Sequence, residues 1–435
     1  MKVKKEYFIE NVSLIFYKIV LDLVYVFFIC DEYRYHLTFK VDFDFVRFTE
    51  GWILCILLIS LLPRKKTITS NYLLMQFVIT IVPMLVIYGL YERSRYFIYL
   101  ICAVHGLQCV LEKVVKVRLV SSTTLLQGRA VNKNVIVLIT ASVLILTLVE
   151  FGLPTFQSFN VTNVYEIRAE KAVSGILAYF LFWFINAILP MVLVYSMSKK
   201  RKIIFLLFSA LTLFLYLTYA HKSWLFSIFF VIAIYIVSKL DLYRKACCIA
   251  FPVLISFCML CYEFNKKLLA LPSMFVRRVL FVPADIKFEY FDFFQHREKL
   301  LFSEGMIGKI FRMEPRYNKE IALIIGDELG ELGSSCNTGY LADAYANLGT
   351  LGVVLFALLL FVILKSLDLI LNKEHVDVNF SVLSYSLFTL NDGALLTRLL
   401  TGGLALLIVM LILERNRSQE KGEVSGTKDT LFTDG

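Results

Sequence analysis

Residues 340–364 read YLADAYANLGTLGVVLFALLLFVIL. A helix needs about 20 mostly apolar residues to cross a bilayer, and this run supplies them. Asp343 lies in the first turn, where the positive end of a helix favours a carboxylate. The next charge is Lys365. This stretch makes the chain a membrane protein, and the same pattern recurs on both sides of it.

Further apolar runs fall at roughly 11–30, 48–63, 72–91, 96–111, 135–153, 173–197, 203–220, 223–239, 246–263, 378–394 and 398–413, giving an expectation of about twelve spans. Composition agrees. Of 435 residues 58% are hydrophobic and 15% aromatic, while only 18% are charged, below the roughly 25% of a soluble domain. The fold class predicted is all-α and polytopic. Residues 1–263 carry spans one to nine, 264–339 form one large helical extracytoplasmic loop, 340–413 carry the last three spans, and 414–435 form a polar, disordered cytoplasmic tail.

The net charge of +10 does not indicate nucleic acid, because no soluble basic face is left to bind it. The cations cluster instead in short loops. Arg64-Lys65-Lys66, Lys199-Lys200-Arg201-Lys202 and Arg244-Lys245 fall on one side, single arginines such as Arg34, Arg93 and Arg95 on the other. By the positive-inside rule both termini are cytoplasmic and 264–339 is outside. The first run, with Lys18 and Asp22, has no small-residue cleavage site and reads as a retained span. Those two charges sit four apart on one helix face and predict an ion pair, with a proton or ion pathway as the rival. The nine cysteines lack the spacing of a zinc site or a disulfide framework, and no cofactor or metal is expected. Asp42-Phe43-Asp44 is the one short acidic match on an outside loop.

The outside loop is amphipathic and sparse in Gly and Pro, which predicts short helices lying on the membrane surface. Its most unusual stretch is FVRRVLFVPADIKFEYFDFF (275–294), with paired arginines, a Pro-Ala, and rings interleaved with acids. Phe288, Tyr290, Phe291, Phe293 and Phe294 suit either sugar stacking or anchoring at the lipid interface. Away from the outer loops, the interior of the spans reads as nearly charge-free.

Several segments together resemble the Wzy-type oligosaccharide repeat-unit polymerases of O-antigen and capsule synthesis. They are RVLFVPADIKFEYFDFF (278–294), NTGYLADAYANLGTLGV (337–353), VYEIRAE (164–170), HKSWLF (221–226) and NDGALLTRLLTGG (391–403). The resemblance covers about a quarter of the chain. It implies a GT-C-like glycosyltransferase of the bacterial plasma (inner) membrane. Such an enzyme transfers a glycan from one undecaprenyl-diphosphate carrier to the non-reducing end of a second carrier-linked oligosaccharide. Implied partners are that donor and acceptor, membrane lipids, a chain-length regulator and a flippase. An O-antigen ligase, a lipid-linked oligosaccharide flippase or other transporter, and a non-catalytic scaffold are the alternatives.

Such a transfer needs stabilisation of a departing diphosphate. Arg278 leads here, with Arg277, Arg168 and Arg398 as further candidates, because a planar guanidinium matches phosphate oxygens. The same arginines also suit lipid headgroups. The transfer needs a proton acceptor, and Asp285, Glu289, Asp292, Asp343 and His221 are candidates. Glu289 and Asp292 share a face if their segment is helical; a solvated helix face would carry the same pair. Arg278, Asp343 and His221 are the expected catalytic set. Through the matching motifs, the resemblance adds Lys222, Tyr290, Asn337, Thr338 and Tyr340 as substrate-binding residues.

Overall fold

In the computed structural model the described residues are 2–36, 38–115, 133–154, 171, 173, 175–330, 333–371 and 375–414. Among them the chain is helical and has no strand. In chain order the helices are α1 (Glu6–Glu32), α2 (Phe45–Leu61), α3 (Ile68–Leu90), α4 (Arg95–Val114), α5 (Asn134–Phe151), α6 (Gly175–Ser198), α7 (Lys202–Tyr219), α8 (Lys222–Lys239), α9 (Tyr243–Phe264), α10 (273–295), α11 (Met306–Ile310), α12 (Ile321–Glu328), α13 (Tyr340–Ile370), α14 (Val376–Phe388), α15 (Leu395–Leu400) and α16 (Leu404–Glu414). Nine of them (α1, α3 to α9, and α13) have at least 18 residues and are apolar enough to cross a membrane. The protein is therefore a polytopic helical membrane protein. The runs expected as spans at 48–63, 378–394 and 398–413 form shorter helices. The last two are interrupted, by the 3-10 turn Thr389–Asn391 and by Gly402-Gly403. The tail beyond Glu414 lies outside the described residues.

The helices divide into two units by their contacts. One takes in the described residues of Met1–Lys116, Leu242–Lys365 and Phe388–Thr397; the other takes in those of Val117–Asp241, Ser366–Leu387 and Arg398–Gly435. At the centre of the first unit α3 is buried along its whole length. The pair expected on α1 is present, with Lys18 Nζ 2.9 Å from Asp22 Oδ1 and 4.3 Å from the centre of the Trp52 ring. Isolated charges in lipid are costly, and this pairing gives Lys18 both a counter-ion and an aromatic face.

Prolines shape four of the helices. Pro83, Pro190, Pro252 and Pro283 each stand at the second position after a π-helical stretch, at Phe77–Ile81, Phe184–Ile188, Ala246–Ala250 and Ser273–Phe281. A proline has no N–H to donate and its ring crowds the preceding turn. The wider turn before each one absorbs that mismatch without ending the helix.

Two expectations about 264–364 are corrected. First, α10 is not a short helix on a surface. Pro283, Ala284, Asp285, Ile286, Lys287, Phe288, Tyr290, Phe291, Phe293 and Phe294 are all buried in the first unit. Its rings pack on protein rather than anchoring in lipid. Phe291 stacks on Phe97 at 4.7 Å and meets Tyr345 at 4.7 Å, and Phe294 meets Tyr317 at 6.0 Å. Hydropathy distinguished apolar from polar here but not lipid from protein as the neighbour.

Second, α13 is not one straight span. Gly349 adopts φ 64°, ψ −147°, a conformation that is essentially glycine's alone. The chain folds back there: a Cβ on Gly352 would stand 2.2 Å from the carbonyl oxygen of Ala344. In a straight helix those residues would be separated by about 12 Å of rise. Residues 340–348 thus form a short helix doubled back on the long one. Its last carbonyls accept from a neighbouring loop, where Leu300 N donates to Ala346 O at 2.9 Å and Leu301 N to Asn347 O at 3.2 Å. That settles two of the carbonyls a helix end leaves unpaired. Gly352→Ala is expected to destabilise the protein by about 1–3 kcal/mol, the scale of overpacking, because the obstructing atom is backbone. Thermal unfolding in detergent reads the loss; Leu351→Ala, at an exposed neighbour, should leave the midpoint unchanged.

Candidate functional site

The acids of α10 meet a cation that the sequence did not single out. Asp285, Glu289 and Asp292 stand at i, i+4 and i+7, which places them along one stripe of the helix. All three converge on Arg93, from the short loop between α3 and α4. Arg93 pairs with Asp285, lies 2.6 Å from Glu289 Oε1 and 3.3 Å from Asp292 Oδ2. Exposure rises along the stripe: the side chains of Arg93 and Asp285 are 5% and 1% accessible, Glu289 20% and Asp292 38%. The cluster is buried at one end and open at the other.

Asp285 is fully engaged. One of its oxygens takes Arg93 and the other accepts from the Thr38 hydroxyl. Thr38 has a single proton, which Asp285 receives, so the 2.9 Å contact between His36 Nδ1 and Thr38 Oγ1 requires Nδ1 to be the protonated ring nitrogen. Glu289 is less committed. Its Oε1 sits 2.6 Å from Arg93 Nη1 as an ion pair and is closed off from solvent, without a well-directed hydrogen bond. The Nε of Arg93 is likewise buried without one. Burial raises the Glu289 carboxyl to about 7, with Arg93 opposing and Asp285 and Asp292 adding to the rise. Asp292 is also raised by burial, against the pull of Arg93.

On the other side of α10, Lys287 is buried. Its amine donates to Asn391 O at 2.7 Å, Pro283 O at 2.9 Å and Asn391 Oδ1 at 3.0 Å. Burial lowers it to about 7. Asn391 Oδ1 also accepts from Thr80 at 2.7 Å. Gly339 is pressed into the same place. A Cβ there would meet Asn391 O at 2.5 Å and Lys287 Cε at 2.8 Å, so only glycine fits. The 282–295, 337–340 and 391 segments, quoted above for their resemblance, therefore meet at one lysine.

The remaining expected residues fall as follows. Arg278 is exposed on α10, whereas Arg277 is half-buried with its guanidinium 4.4 Å from the Tyr33 ring. Tyr290 is buried and donates to Cys336 O at 3.1 Å. Asn337 is exposed and Thr338 is buried with its hydroxyl unpaired. Tyr340 is buried and accepts from Gln76 Nε2 at 2.7 Å. Asp343 is half-buried beside Asn347 Nδ2 at 3.3 Å. His221, Lys222 and Arg398 belong to the other unit. There His221 packs on Trp224 at 4.8 Å, Lys222 is exposed at the start of α8, and Arg398 is half-buried in α15. Arg168 and the rest of 164–170 lie outside the described residues. Asp44 caps α2 by accepting from Arg47 N at 2.7 Å, and Asp42 pairs with Arg47 at 3.0 Å, so both acids serve that helix start.

The interior of the first unit is more polar than expected. His105 Nδ1 donates to Gln76 Oε1 at 3.2 Å, Gln108 Nε2 to Ala357 O at 2.8 Å, and Lys365 pairs with the buried Glu112 at 2.6 Å. Each group is scattered singly through an apolar run, where a composition window averages it away.

No family model, curated protein or solved structure matches the chain.

Proposed function

We propose that the protein is a polysaccharide polymerase of the Wzy type. It joins undecaprenyl-diphosphate-linked oligosaccharide units on the outer face of the bacterial plasma membrane, through a twelve-span, GT-C-like fold with both termini cytoplasmic. The observation that carries the reading is the stripe on α10. Exposed Arg278 stands toward one end of α10, and the carboxylates gathered by Arg93 follow on the same helix. An arginine suits the departing diphosphate; a partly open carboxylate suits a sugar hydroxyl. Together they match the two ends of a glycosyl transfer from a lipid diphosphate.

The test is elongation. Purified full-length protein given a polyprenyl-diphosphate-linked oligosaccharide should lengthen it in detergent, in the presence of a chelator and with no other protein. Unaltered substrate would sink the reading. The topology makes a separate prediction. Asn318→Cys, at an exposed position in the large loop, should react with an impermeant maleimide in intact spheroplasts, and Lys66→Cys should react only after lysis. The reverse pattern would invert the orientation.

One observation favours a second reading, translocation of lipid-linked oligosaccharide. The polar groups of α3 and α4, Gln76, His105 and Gln108, lie inside spanning helices, where they either bind helices together or line a path. Labelled lipid-linked substrate that crosses a proteoliposome membrane without gaining length would favour it.

A further inference from the structure

We propose that Glu289, held in place by Arg93, is the general base that takes the proton from the sugar hydroxyl of the incoming unit. The proposal rests on the polymerase reading and names the group that the reading leaves unassigned. In the step, the acceptor oxygen forms its bond to the anomeric carbon of the donor glycan. The bond from that carbon to the diphosphate oxygen breaks, its electron pair leaves with the lipid diphosphate, and the hydroxyl proton passes to the Glu289 carboxylate. Solvent then removes it through the open end of the cluster.

Four observations select Glu289 from the acids and amines nearby. Asp285 has both oxygens occupied and is shut away from solvent. Asp292 is the most exposed of the three and the most distant from Arg93, so it is the least firmly oriented. Lys287 is buried with its amine on three protein oxygens, so no incoming hydroxyl reaches it. Glu289 alone combines a close ion pair with Arg93, at 2.6 Å, and partial access to solvent.

Position fits as well. Glu289 follows Arg278 by about 16 Å along the helix axis. Both belong to the one helix that carries the Arg93 cluster.

The electrostatics suit a group that must cycle its proton. Three carboxylates share one guanidinium, so the cluster carries excess negative charge when all are ionised, and like charges at close range favour holding one proton. The charges acting on Glu289 are Arg93 from the α3–α4 loop and Asp285 and Asp292 from its own helix. Other elements around α10 contribute His36, which reaches the cluster through Thr38, and Glu328 at the end of α12, which is paired to Arg297 at 3.0 Å. Arg95, at the start of α4, is engaged by Glu50. With the carboxyl at about 7, the base form grows in as pH rises through neutrality.

The experiment uses the full chain in detergent with a synthetic polyprenyl-diphosphate-linked oligosaccharide as both donor and acceptor. Wild-type protein is measured first. If it makes no longer product, the polymerase reading fails whatever residue 289 does. If it elongates, Glu289→Gln should lower kcat by on the order of a hundred- to ten-thousandfold, the range for loss of general acid–base catalysis, with KM for the acceptor little changed. Wild-type kcat/KM should rise with pH and level off above about 7. In Arg93→Lys, whose ammonium cannot reach all three acids, that limb should move to higher pH, because the cation holds the carboxyl down. Near-wild-type turnover in folded Glu289→Gln overturns the proposal. So does an active wild-type enzyme whose rate is flat across neutral pH, a result that stands even if the glutamine variant fails to fold.

Discussion

Arg93→Ala is expected to destabilise the protein by about 3–5 kcal/mol, the cost of removing one partner from a buried ion pair. Arg93 and Asp285 are almost wholly shielded from water, and Glu289 is largely so. Without the guanidinium these carboxylates keep their desolvation cost and lose its compensation. The loss should depend on pH in a definite direction. Uncompensated buried acids have folded-state pKa values above their unfolded values, so the folded state binds more protons. Its stability therefore rises as pH falls and declines as pH climbs through those raised values. Thermal unfolding of Arg93→Ala in detergent should show a smaller deficit at about pH 5 than at about pH 8. A second variant separates charge from packing. Arg93→Met combined with Asp285→Leu replaces the most buried pair by apolar groups, and such exchanges are often neutral or stabilising. If Arg93→Ala melted like wild type at both pH values, the ion cluster would not be holding α10.

Much of this architecture was legible as pattern. Apolar runs announce helices long enough to cross a bilayer, and the i, i+4 spacing announces the Lys18–Asp22 pair. What pattern could not supply was the partner. Asp285, Glu289 and Asp292 form a stripe that demands a cation, but the loop YERSR (91–95) reads only as a topology signal until the fold brings Arg93 to α10. The rings of 288–294 read equally well as lipid anchors or as core, since lipid tails and Phe97 are alike to a hydropathy scale. Lys287 stands two residues from Asp285 and from Glu289, on a different face of the helix; beyond Pro283 O its partner is Asn391, distant in sequence. The turn at Gly349 did leave a trace, the two glycines of NLGTLG (347–352). That trace was masked because the surrounding residues are apolar enough to be read as one span.

Arg278→Ala is expected to stop glycan elongation while leaving the protein folded. Arg278 is exposed, and among the described residues no ion pair or ring contact ties it to the core, in contrast to Arg277 on the Tyr33 ring. Its removal therefore leaves no cavity and no orphaned counter-charge. If it receives the departing diphosphate, it acts on charge that grows in the transition state. Losing one such donor lowers the rate by on the order of a hundred- to thousandfold. Arg278→Lys should recover part of the activity, because an ammonium keeps the charge but not the planar fork. Arg277→Ala should show the opposite profile. Its guanidinium packs against Tyr33, and adjacent residues on a helix do not face one ligand. It should lower the melting temperature modestly and leave turnover per folded molecule near wild type. The ladder of glycan lengths from cells expressing each variant at matched levels reads activity, and unfolding of the purified proteins reads stability. A normal ladder from Arg278→Ala would remove this arginine from the site. An equal loss of both activity and stability in the two variants would assign the pair to holding α10 in place rather than to binding a diphosphate.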